Sequence, residues 1–480
     1  MTRVFSIFER IGLGGGGKVK AVCHRMNALA EMPEFDPILL NLDHSANQKL
    51  NFAELKANGT LAPRVQNLTV PEACYGAALN AGIQPFSGFP VFDHIDTKTN
   101  KIVYSQNGET VMVDKTKQTP IGAITKRVVL HQGAEHLYTL IDGHVHQMIK
   151  RNADDTVETT DFVRSLPIRW TKSQGRHFII GKNLITDTIC RMPRIYHQNL
   201  FELIGWDDSV VFFDGVTSAY LAPVTKGRRA LFLHADHRSP TGTIVPRSKF
   251  LIENFKGEAI ITSTHVHKTQ IHADVTPAAE VHVIPHFCTG GPPSDGARAH
   301  LVTVSRLELV GKPIHECIEA FCLIKDSFPD VDYLIYGLGA GQQQLEEQIE
   351  VLGCGDRVRL AGYTSDPLGV FRNALASVYP TTTEGFGLSI LEALSEGCPV
   401  ISYDVNYGPR EMIKPGENGE LAPSGDILAI AEAMRRVLLK PEPFQRATRV
   451  GLERYTRQAY LSNYRNIVNM LMSLEPPVQG

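Results

Sequence analysis

Residues 378–402 read VYPTTTEGFGLSILEALSEGCPVIS, which lays out one βαβ unit. An apolar strand runs into a loop at Glu384 to Gly387, a helix spans about Leu388 to Glu396, and Gly397 with Pro399 stops it before the next strand. Gly385 and Gly387 let main-chain N–H groups approach a ligand closely, and the helix N-terminus adds partial positive charge, a pairing suited to a diphosphate. The diphosphate-binding candidates here are therefore Gly385, Phe386, Gly387 and Leu388. Glu384 stands beside that position. Glu392 lies about a turn into the helix, away from Ile390, Leu391 and Leu394, so it can face a crevice, where a carboxylate accepts two sugar hydroxyls. Taken alone, the spacing E-x7-E fits two solvated glutamates equally well.

On both sides of this unit the chain keeps an αβ rhythm. After it the rhythm runs to about residue 440, and before it come the strands 300–305 and 332–337 with a helix at 313–328, so 286–455 reads as a doubly wound Rossmann-like domain. The N-terminus opens the same way: an apolar run at 3–9, a glycine loop at 12–17, a helix from 18 to about 32 and a strand at 37–42. Buried parallel strands return at 229–234, 259–262 and 281–285, so a first Rossmann-like domain is assigned to 1–79 and 226–285. Between these halves, 80–225 breaks the rhythm with β-prone pieces such as Thr110–Asp114, His136–Ile141 and Val210–Phe213, separated by turn signals such as Asn107-Gly108. This region is expected to be an antiparallel β-rich insertion. Residues 456–480 carry a last helix expected to return to the first domain.

Arg306 and Lys312 follow the strand at 300–305, at the carboxyl edge where doubly wound folds bind ligands. Two fixed cations there can replace a metal on a diphosphate. A metal-dependent route would need Asp-x-Asp after a strand, whereas Asp330-Val-Asp332 precedes one. The loop Gly12-x-Gly14-x-x-Gly17, with Asp43 ending the next strand, satisfies a dinucleotide fingerprint but equally a tight turn. His234-Ala-Asp236-His237 mimics the end of a metallohydrolase motif. Phe232 stands where a further ligand is required, and neither His144/His146 nor His265/His267 has an evident acidic neighbour in sequence, so no metal site is expected.

The segment Thr381 to Glu392, with Ser305-Arg306-Leu307, Lys312, Tyr336-Gly-Leu-Gly339, Tyr407-Gly-Pro-Arg-Glu411 and Asn418-Gly419, resembles the retaining glycosyltransferases of the sucrose-synthase-like family, which share the two-Rossmann-domain GT-B fold. The resemblance covers about 285–440. It implies that Glu384 binds the donor sugar, Glu392 the nucleotide ribose, and Arg306 with Lys312 the departing diphosphate. It also places His234 near the sugar and the glycine loop, through Gly15 and Gly16, against the donor phosphate or the acceptor. Poly(glycerol-phosphate) α-glucosyltransferases and the Ser/Thr N-acetylglucosaminyltransferases of accessory secretion systems are similar in carrying a β-rich extension of the first domain. Transfer of glucose or N-acetylglucosamine from a UDP-sugar to a polymer or protein hydroxyl is thus expected, with no cofactor beyond the donor. The insertion is expected to bind acceptor or mediate self-association. Readings from other classes are a catalytically silent binding partner of this fold and an NAD-dependent oxidoreductase.

Composition bounds these readings. At 480 residues, with 43% hydrophobic and 21% charged, the chain has the size for two to four domains and the make-up of a globular protein. Lys plus Arg is 48 against 51 Asp plus Glu, so the net charge of −3 offers no general field for nucleic acid. Nowhere do about 18 apolar residues run without a charge, and Arg3, Glu9 and Arg10 interrupt any N-terminal apolar run. A cytoplasmic protein is expected, with any membrane contact peripheral. Its eight cysteines are scattered without a C-x-x-C pair, which fits reduced thiols.

Overall fold

The structure is a computed structural model that describes residues 1–8, 17–42, 44–86, 89, 93–98, 101–131, 134–175, 177–206, 208–215, 218–291 and 298–475. The chain forms two compact units, one of Met1–Leu231, Lys256–Glu258 and Val468–Gly480, the other of Phe232–Phe255 and Ala259–Ile467.

The first unit is built on parallel strands β1 (Thr2–Phe8), β2 (Phe35–Asn41) and β3 (Gln66–Thr69), with Val4 opposite Pro37 and Ile38 opposite Gln66. Ten strands, from β4 (His94–Lys98) to β13 (Thr188–Cys190), then make an antiparallel sheet in which each lies beside its sequence neighbours. Short turns suffice for such a meander, as at Asn107-Gly108. The next strand, β14 (Ser209–Asp214), corrects the sequence reading, because Val210–Phe213 was assigned to the insertion. It pairs parallel with β1, Val4 opposite Val210, and is buried at all six positions. A continuous apolar run suits a strand covered on both faces, and alternation suits the one-sided strands before it.

Two buried polar clusters hold this unit together. Arg25, on the helix Gly17–Glu31, lies 2.5 Å from Asp214 Oδ2 and 2.7 Å from Ser6 Oγ, joining helix, β1 and β14. At the root of the meander, His44 Nε2 donates to the Phe162 carbonyl at 2.9 Å, and its Nδ1 is 2.6 Å from Thr69 Oγ1. The His146 ring lies 4.1 Å from the His44 ring, centroid to centroid. Burial pushes His44 down to about 4, against the pull of Asp161, and pushes His146, beside His44, down to about 2. Both are neutral when folded and take up protons when unfolded, so their contribution is complete above about pH 6.5 and is lost as pH falls below it. The unfolding midpoint should therefore drop between pH 7 and pH 5, each histidine costing about 1.4 kcal/mol per pH unit. Scanning fluorimetry across that range checks this, and a flat midpoint refutes it.

In the second unit, β16 (Ala259–Thr262) and β17 (Glu280–Val283) pair in parallel; they follow β15 (Arg228–Phe232), whose last residue begins this unit. Its main sheet contains β18 (His300–Val304), β19 (Asp332–Tyr336), β20 (Val358–Gly362), β21 (Ala374–Tyr379), β22 (Val400–Tyr403) and β23 (Gly419–Ala422). Their spatial order, β20-β19-β18-β21-β22-β23, is the doubly wound 3-2-1-4-5-6. The order reverses between β18 and β21, and loops leaving those two strands diverge to open a crevice. Asp332 begins β19 at the opposite edge, bonded to Arg357 and Arg359. All eight cysteines are free thiols, six of them buried. Among the described residues no helix is long and apolar enough to cross a membrane.

Candidate active site

The loops leaving β18 and β21 bring Lys312 and Glu384 together, with Lys312 Nζ 3.0 Å from Glu384 Oε2. The same ammonium donates to Tyr379 Oη at 3.0 Å and Thr381 Oγ1 at 3.1 Å, and lies 4.4 Å from the Tyr379 ring centroid. Tyr379, the last residue of β21, donates its hydroxyl proton to Glu384 Oε2 at 2.6 Å. Between Arg306 and Lys312 the chain turns at Gly311, whose carbonyl accepts from the Thr382 N–H at 3.1 Å. Burial alone would raise the Glu384 pKa, but Lys312, Tyr379 and the Gly387 amide outweigh it and hold the group below the usual glutamate value. Burial, with Glu384 beside it, keeps the Tyr379 phenol protonated far above its ordinary range. The result is a fixed carboxylate beside a fixed cation at the switch point.

Helix Leu388–Ser395 begins directly after this loop, with Gly387 as its N-cap. Gly385 has to be glycine, since a Cβ there would sit 2.3 Å from the His234 carbonyl oxygen. That close approach places Glu384 and His234 on adjoining loops of the second unit. His234 is half-buried and stacks on Phe232 at 4.3 Å. The Phe386 ring is buried in the apolar core, edge-on to His286 and Tyr455, and is not available to a ligand. Glu392 is buried on the same helix, close enough for its charge to raise the Tyr379 phenol pKa. Arg306 stands apart from the Lys312–Glu384 pair. Its side chain is 61% exposed and bonded to Glu308 at 2.9 Å, although its charge also reaches Tyr379. Gly15, Gly16 and Asp43 lie outside the described residues, so the glycine-loop reading has no structural counterpart here.

A second cluster escaped the sequence reading. His267, which has no acidic neighbour along the chain, packs against Asp236 and His237, and one ligand atom from each lies within 4.8 Å of the others. These three residue types could hold a metal ion. Hydrogen bonds already join these residues, although the buried His267 Nδ1 has no partner among the described residues. His237 Nδ1 is 3.2 Å from His267 Nε2, the Tyr407 hydroxyl donates to Asp236 Oδ1 at 2.6 Å, and His237 Nε2 donates to Asp274 Oδ2 at 2.8 Å. Neither Tyr379 nor Tyr407 has a role that its local sequence pattern implies. A polar residue ending a buried strand at the switch point was the available signal for Tyr379.

Residues 292–457 match the family model described as glycosyl transferases group 1, so the second unit carries a domain of this kind. The fold around that domain is of the GT-B class. A poly(ribitol-phosphate) alpha-N-acetylglucosaminyltransferase of Staphylococcus aureus is 26% identical over 98% of this chain and 100% of its own length. The poly(glycerol-phosphate) alpha-glucosyltransferase of Bacillus subtilis is 31% identical over 38% of this chain, a match that spans only 27% of that relative. Among solved structures, a point mutant of S. aureus TarM in complex with Fondaparinux, alpha-GlcNAc-glycerol and UDP superposes with a TM-score of 0.77 at 19% identity, covering 98% of this chain and 100% of that one.

Proposed function

We propose that this protein transfers glucose or N-acetylglucosamine, with retention, from a UDP-sugar to a hydroxyl of a phosphate-containing surface polymer. The observation that carries the reading is the Lys312–Tyr379–Glu384 cluster at the switch point of a group 1 glycosyl transferase domain. Glu384 holds donor-sugar hydroxyls, with His234 helping. Lys312, Arg306 and the amides of Gly385 to Leu388 stabilise charge on the departing diphosphate, where electrostatic effort lowers the barrier most. Glu392 takes the ribose, and Gly15 and Gly16 the donor phosphate or the acceptor. The full-length likeness to a poly(ribitol-phosphate) enzyme favours a polymer over a protein acceptor. We assign acceptor binding or self-association to the antiparallel sheet, and the cytoplasm as the working compartment.

Donor hydrolysis across a panel of UDP-, GDP- and ADP-sugars tests the reading. Turnover should be confined to UDP-hexoses and persist in excess EDTA, and transfer to an added polyol-phosphate polymer should give an α linkage by one-bond carbon–hydrogen coupling. Absence of turnover with every donor overturns the activity. Loss in EDTA restored by Mn²⁺ overturns the role given to the two cations, and a β product overturns retention.

A further inference from the structure

We infer that Tyr407, held by Asp236 and His237, is a positioning residue that registers Glu384 against His234. The inference rests on the reading of Glu384 as the sugar-binding carboxylate. Glu384 is gripped through its main chain: its N–H donates to the Asn406 carbonyl at 3.2 Å, and its carbonyl accepts from Tyr407 N–H at 2.8 Å. These two bonds make an isolated parallel bridge, so wherever Tyr407 goes the Glu384 backbone follows.

Tyr407 is held in turn by its side chain, which is fully buried. Its ring lies 4.2 Å from the His267 ring, nearly parallel at 9°. Its hydroxyl is 2.6 Å from Asp236 Oδ1 and 3.2 Å from His237 Nδ1. Burial, with Asp236 beside it, keeps the phenol protonated, so it remains the donor in that bond. Asp236 is fixed by the Arg238 N–H at 2.8 Å. His237 is fixed by Asp274, which also takes Arg238 Nε at 2.6 Å and Gln270 Nε2 at 3.0 Å. Asp236 and His237 are two and three residues after His234, on one short loop. The same phenol therefore ties the loop bearing His234 to the loop bearing Glu384, residues 150 apart in sequence that need a fixed separation to share one sugar ring. Among the described residues Lys312 bonds the side chains of Tyr379, Thr381 and Glu384 and none of Tyr407, Asp236 or His237, so nucleotide affinity should depend little on this network.

The test uses Tyr407→Phe, which keeps the ring and its stacking, beside Asp236→Ala, the conservative Asp236→Asn and the Tyr407→Phe/Asp236→Ala double variant. UDP-sugar hydrolysis should fall about tenfold in kcat for Tyr407→Phe and for Asp236→Ala, with UDP affinity unchanged. Asp236→Asn keeps the accepting oxygen and should retain most activity. The double variant should be no slower than either single, because both break one bond. Hydrogen exchange at the Glu384 and Tyr407 amides should quicken in Tyr407→Phe, a readout that holds whatever donor is turned over. The inference is overturned by wild-type kcat in Tyr407→Phe, by multiplicative losses in the double variant, or by unchanged exchange. It is overturned equally if UDP affinity and the unfolding midpoint fall together with kcat, or if the purified protein carries stoichiometric zinc that Asp236→Ala releases. An inactive wild type with quickened exchange in Tyr407→Phe would instead sink the proposed activity and leave the registration standing.

Discussion

Glu384→Gln should lower kcat for UDP-sugar turnover by about a hundredfold or more while leaving UDP affinity nearly intact. The amide keeps the size of the carboxylate but not its charge, and it offers Lys312 and the Tyr379 hydroxyl a much weaker acceptor than the oxygen they now share. Hydrogen bonds to a charged partner are each worth roughly 1.5–3 kcal/mol, and two of them converge on this atom before the sugar hydroxyls are counted. Reaching a sugar transition state with a loosened carboxylate therefore costs turnover more than ground-state binding. Steady-state donor hydrolysis and calorimetric UDP titration on the same preparation separate the two quantities. A variant with wild-type kcat would mean that the sugar is held by another residue.

Lys312→Met should act on the other side of the pair, weakening UDP binding by about ten- to a hundredfold through loss of one charged contact to the diphosphate. It carries a second signature. Lys312 is the chief influence lowering the Glu384 pKa against burial, so its removal lets that pKa rise. If turnover needs the carboxylate, the acidic limb of the pH–rate profile must move to higher pH, since protonation now begins earlier on acidification. An unshifted limb would show that the charge of Lys312 does not govern Glu384. Stability should fall as well, because both side chains are mostly buried, 16% and 20% exposed, and Lys312→Met leaves the Glu384 carboxylate without its cation.

Much of this site was legible because its parts lie close in sequence. Thr381, Glu384, the glycine pair and Glu392 occupy a single βαβ unit, and Ala259–Thr262 was placed to the residue because four buried apolar or β-branched positions leave little choice. Lys312 was reachable because it follows a strand at the same sheet edge. Tyr407 and Asp236 were not, being 171 residues apart and joined by a contact that no local pattern encodes. His237 and His267 misled for the same reason: read locally they are an incomplete metal motif, and only packing gives them partners. β14 was misassigned because an apolar run of four does not reveal whether its neighbours run parallel or antiparallel. Phe386 kept its place in the motif, but its ring belongs to the core, which spacing does not show.

The Arg25–Asp214 pair makes the order of synthesis matter. Arg25 leaves the ribosome 189 residues before the carboxylate that neutralises it, an interval of roughly 10–40 s at ordinary elongation rates. Throughout that time β1 also lacks β14, while the meander, whose pairings are nearly all between successive strands, can close as it emerges. The insertion should thus be the first part of the nascent chain to acquire protease resistance, and the sheet into which it is spliced among the last.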